Sequence, residues 1–90
     1  MAKWFVEVVT NKDHLHTVAV CSSKVKAHDV ATRMMYTKSR PSYSDTHNPT
    51  KFIKYKDDVI IKKIYITDMY GDAKETLDCE TGEFVKGGTI

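Results

Sequence analysis

The sequence predicts an α+β domain, a small and mainly antiparallel β-sheet with one amphipathic helix packed on one face, in the order β-β-α-β-β-β. Three observations lead there. Runs of β-branched and aromatic residues at 3–10 and 59–67 read as strands. Ala27, Val30, Ala31, Met34 and Met35 recur at i, i+3, i+4, i+7 and i+8, the spacing of one buried helical face. Short polar or glycine-bearing turns separate the other strand-like runs, and antiparallel hairpins are the simplest connection across so few residues.

In the first strand, Trp4, Val6 and Val8 share one face and Phe5, Glu7 and Val9 the other. Asn11, Lys12 and Asp13 form a polar turn into a second strand over 15–21, in which Val18 and Val20 lie opposite Ala19 and Cys21. Ser22 or Ser23 caps the helix, and Lys26 at the third position after Ser23 excludes the reciprocal capping box. The helix fades near Thr37, before Pro41 restricts its predecessor to extended geometry.

Nine of the fourteen residues from 37 to 50 are Ser, Thr, Asn or Pro, which predicts a long loop rather than a buried element. Residues 51–56 read as a short exposed strand or an extended approach to the next one. The apolar run at 59–67 then places Val59, Ile61 and Tyr65 on one face and Ile60, Ile64 and Ile66 on the other. Tyr70, Gly71 and Asp72 mark a turn. A hairpin follows, with strands at 74–79 and 83–86 and Gly82 supplying a positive φ between them.

Ninety residues allow one compact domain over 1–90 and exclude a two-domain enzyme. Within it, 37–56 is a polar-to-basic loop or extended segment and 68–90 an acidic hairpin region. The absence of a long apolar run or secretory signal makes the expected location cytoplasmic, where Cys21 and Cys79 stay reduced.

The net charge of +2 conceals an asymmetry: residues 1–63 carry twelve Lys and Arg against six Asp and Glu, whereas 64–90 carry two against six. Between 33 and 63, Arg33, Lys38, Arg40, Lys51, Lys54, Lys56, Lys62 and Lys63 outnumber Asp45, Asp57 and Asp58, with Tyr43, Phe52 and Tyr55 interleaved. Such a segment suits an acidic macromolecular surface. In the leading reading the chain is a non-enzymatic module that binds and modulates or inhibits another protein, with Tyr36, Tyr43 and Tyr55 as anchors and Arg40 as a polar contact. The alternative is an RNA- or DNA-binding domain in which Lys and Arg meet phosphates and Tyr43, Phe52 and Tyr55 stack on bases. Charge reversal at Lys38, Arg40, Lys51 and Lys54 is expected to weaken either partner while leaving the fold intact.

No catalytic residue, metal site or cofactor is predicted. His14 and His16 stand at i, i+2 without C-x-x-C or H-E-x-x-H, no phosphate-binding glycine motif is present, and Asp68, Asp72, Asp78 and Glu80 lack calcium-loop spacing. In a regular strand, His14 and His16 would face away from Cys21. No membrane association is expected, and a homodimer is one way to cover Phe5, Val9, Val59, Ile61 and Tyr65. The strands WFVEVV and HLHTVAV, with the helix carrying Ala27 and Ala31, resemble in a general way small bacteriophage regulators of host enzymes. No diagnostic motif accompanies that likeness, and no activity or residue is carried over from it.

Overall fold

The computed structural model describes residues 3–12, 15–70, 74–79 and 81–86. His14, Asp13, the Gly71–Asp72 turn and Glu80 lie outside the described residues. The elements in chain order are β1 (Trp4–Thr10), β2 (Leu15–Cys21), α1 (Lys24–Thr37), β3 (Ser39–Pro41), β4 (Phe52–Lys54), β5 (Ile61–Asp68), β6 (Lys74–Asp78) and β7 (Glu83–Lys86). Five strands form one antiparallel sheet in the order β2-β1-β5-β6-β7, and β3 pairs with β4 in a separate two-stranded sheet. The main sheet and its helix thus follow the predicted β-β-α-β-β-β order.

Helix α1 is capped by Ser23, whose backbone is extended and whose side-chain oxygen accepts the Lys26 N–H at 3.1 Å. It ends at Lys38, left-handed at φ 51°, which donates its N–H back to the Met34 carbonyl. Ala27, Val30, Ala31 and Met34 are buried against Val6, Val8, Ile64, Ile66 and Leu77 of the sheet. Small alanines at the contact let the helix approach closely, and burying each large aliphatic side chain contributes about 1.5–3 kcal/mol.

Two register shifts depart from regular alternation. Val6 faces Ala19 while Glu7 faces Thr17, so Val18 is an extra residue and both Val18 and Ala19 turn into the core. Similarly, Val9 faces Lys63 while Thr10 faces Ile61, making Lys62 the extra residue. Ile61 therefore joins the helix side, packed against the core, and Val59 and Ile60 precede the strand. Of the five residues expected on the second face, Phe5, Val9 and Tyr65 are there; Ile61 is not, because the bulge reverses its parity, and Val59 lies before β5.

The segment after the helix is more ordered than its composition suggests. Ser39, Arg40 and Pro41 are all buried, so the expectation of a loop without buried parts is corrected at its start. Ser39, Arg40 and Pro41 pair with Lys54, Ile53 and Phe52, and the Tyr55 N–H to Lys38 carbonyl and Ser42 N–H to Lys51 carbonyl bonds flank that ladder. Beyond it, the Asp45 carboxylate accepts the N–H groups of both Thr50 and Lys51 at 2.9 Å. Thr46 and Asn48 then bond the Val20 N–H and carbonyl, and Asn48 Oδ1 accepts from the backbone and hydroxyl of Ser22. The polar residues that signal a loop are the ones that satisfy its backbone and strap it to the outer edge of β2.

Candidate interaction surface

The hairpin of β3 and β4 carries most of the basic segment. Lys38, Lys51, Lys54 and Lys56 are exposed, and none enters a salt bridge among the described residues. Tyr43 is 73% exposed at the hairpin tip and Ile53 is 39% exposed on β4. The Asp45 carboxyl, exposed but held by the Thr50 and Lys51 N–H groups, lies below its ordinary pKa and fixes the turn just beyond Tyr43.

The interleaved aromatics are not equivalent. Phe52 is half-buried and packs against the core, with the Arg33 guanidinium 4.3 Å from its ring centroid. Its ring is thus engaged by Arg33 and the interior. The hydroxyl of Tyr55 is buried without a hydrogen-bond partner, and burial pushes its phenol up, opposed by the charge of Arg40. Tyr43 alone of the three presents a largely open ring, and Tyr36 on α1 is 75% exposed.

Arg40 corrects the sequence reading. It is only 9% exposed: its Nε–H donates to the Pro41 carbonyl at 3.1 Å and its guanidinium lies 4.0 Å from the Tyr43 ring centroid. Reversing its charge would bury an acid, so the expectation that such a change spares the fold does not hold at this position. Lys62 and Lys63 are exposed on β5, but Lys63 faces Val9 and Asp78 on the side of the sheet away from the helix. The hairpin packs on the helix side through Phe52, so the basic segment is divided between two surfaces.

Two cavities adjoin the hairpin and share Lys54, Tyr55, Lys56 and Val59 in their walls. One, about 440 Å³, also reaches Met35, Ile61 and Cys79. Burial and the neighbouring Asp78 push the Cys79 thiol up to about 11, which suppresses the thiolate needed for nucleophilic chemistry. The other, about 430 Å³, draws Lys12, His16 and Arg40 together from three parts of the chain. Sequence reasoning missed Lys12 and His16 because no local pattern links them to Arg40; Asn11 makes the connection, exchanging backbone and side-chain bonds with Asp58 and Ile60.

The bulge at Val18 also overturns the parity argument about histidine and cysteine. His16 faces Val8 and Cys21 faces Trp4, so both lie on the helix side of the sheet. Cys21 is buried, however, and burial raises its pKa, partly offset by Lys26. Among the described residues no group of three His, Cys, Asp or Glu side chains is placed to hold a metal ion, and no helix is long and apolar enough to cross a membrane.

Comparison of the chain with protein families, with curated proteins and with solved structures finds no match.

Proposed function

We propose that this chain is a non-enzymatic, cytoplasmic interaction module that binds an acidic surface on another protein through the β3–β4 hairpin and modulates that partner. The observation that supports this best is that Lys38, Lys51, Lys54 and Lys56, all exposed and outside any salt bridge among the described residues, lie on or beside the one hairpin that also carries the exposed Tyr43. A positive, pre-ordered patch accelerates encounter with an acidic partner, while an exposed aromatic supplies contact area at little entropic cost. The strap from Thr46 to Asn48 and the Asp45 turn support the second part of that argument, since a hairpin already held in place loses less freedom on binding.

Nucleic-acid binding is the second reading, favoured by the same lysines. It ranks lower because Phe52 is packed inward beneath Arg33 and the Tyr55 hydroxyl is buried, which leaves Tyr43 to do the stacking expected of three rings.

Capture from native lysate, with and without nuclease and at two salt concentrations, tests the choice. A defined protein retained after nuclease and released as salt rises is the expected result. DNA or RNA bound in its place, and lost as salt rises, would transfer the patch to the second reading.

A further inference from the structure

We propose that the cavity beside Arg40 is a binding site for the phosphate group of a small organic phosphate monoester. Arg40 is nine-tenths buried and permanently charged, yet no carboxylate pairs with it among the described residues; it donates one hydrogen bond to the Pro41 carbonyl, stacks on the face of Tyr43 and acts through its charge on Tyr55. A largely buried cation without a counter-charge gives up part of its hydration, and the cation–π contact offsets only part of that cost. Its planar fork is suited to receive two oxygens of an anion.

The rest of the wall argues for phosphate over carboxylate. Lys12, Lys54 and Lys56 join Arg40, and no Asp or Glu lines the cavity among the described residues. Asp58 neutralises Lys12 at 3.1 Å, which leaves three cations facing one space. A carboxylate would balance one of them, whereas a phosphate monoester near neutral pH carries up to two charges and three acceptor oxygens. Tyr55, whose hydroxyl is buried without a partner, lines the same wall. At about 430 Å³ the cavity exceeds what the phosphate alone would fill and falls within the range of small-molecule sites, and Ile53 and Val59 offer apolar surface to the ester's organic group.

This site does not rest on the protein-partner reading, since it is measured on the isolated chain. Phenyl phosphate, phenyl sulfate and benzoate are titrated into the protein at about pH 7.5, where the phosphate is mainly the dianion. Binding is followed by calorimetry and by the NMR signal of the Arg40 Nε–H. Phenyl phosphate is expected to bind saturably, more tightly than the singly charged sulfate and benzoate, and to shift that signal. Arg40→Gln is expected to weaken binding about tenfold or more, as loss of a charged hydrogen-bonding partner does. Because Arg40 is buried, the exposed pair K54Q/K56Q provides the test that spares the fold, with a similar weakening expected. The pair K38Q/K51Q, outside this cavity, is expected to leave the affinity within about twofold. The proposal is overturned by absence of saturable binding, by sulfate or benzoate binding as tightly as phosphate, or by K38Q/K51Q weakening binding as much as K54Q/K56Q.

Discussion

The guanidinium of Arg40 lies 4.0 Å from the ring centroid of Tyr43, three residues further along the chain. That contact joins a buried cation in β3 to the most exposed aromatic of the hairpin, so the interior of the segment and its outer surface are mechanically linked. The lysines assigned to partner binding lie on or beside the same hairpin, and Arg40 and Tyr43 both line the cavity assigned to phosphate.

Replacing Ala31 by Asp places an unpaired charge where the helix meets the sheet, at a residue with no exposed surface. The expected cost is about 3 kcal/mol or more, a fall in melting temperature of roughly 12 °C or greater for a domain of this size. A circular-dichroism melt measures it, and an unchanged midpoint would contradict the helix–sheet packing described.

Glu75 links α1 to β6. Burial raises its carboxyl pKa, but Lys24 and His28, each 2.9 Å away, outweigh that effect and hold it below its ordinary value. A depressed folded pKa contributes stability that is complete above about pH 4.3 and is lost as the pH falls through the folded value. Glu75→Gln is therefore expected to lower stability at neutral pH by about 1.5–3 kcal/mol and to flatten the acid side of the stability–pH curve. Denaturant titrations at several pH values check both parts.

Tyr55 should tolerate loss of its hydroxyl. That oxygen is buried and lacks a hydrogen-bond partner, so Tyr55→Phe removes a desolvation cost without breaking a bond. Equal stability, or a gain of up to about 1 kcal/mol, is expected by denaturant unfolding. A substantial loss would mean that the hydroxyl is satisfied in solution.

Thiol reactivity follows the same logic. With its pKa pushed up to about 11, Cys79 carries about a hundredfold less thiolate near pH 8 than an ordinary cysteine. Labelling by a disulfide reagent is expected to be slow in the native protein and to accelerate strongly on unfolding. Rapid native labelling at Cys79 would contradict its half-buried placement.

The parts of the fold that were legible in the sequence are those with sustained apolar periodicity. β2 and β7 stand where the pattern puts them, and the stripe from Ala27 to Met34 is the buried face of α1. Gly82 adopts the positive φ, 77°, that its turn requires. The bulges at Val18 and Lys62 were not legible, because a register shift depends on two strands at once. The short exposed strand read at 51–56 is present as β4, whereas β3 is only three residues, too short for periodicity to register, and Ser39 and Arg40 are buried by packing that composition does not encode. At the candidate site, the exposed lysines and Tyr43 were readable from local sequence, whereas the approach of Lys12 and His16 to Arg40 required the folded chain.

The most direct test of the account compares the native chain with the variant K38E/K51E/K54E/K56E as bait in nuclease-treated native lysate, after melting curves establish that both are folded. The account predicts a defined protein retained by the native chain and absent from the variant. Recovery of the same proteins by both baits would contradict it, as would nucleic acid accounting for all the bound material before nuclease treatment.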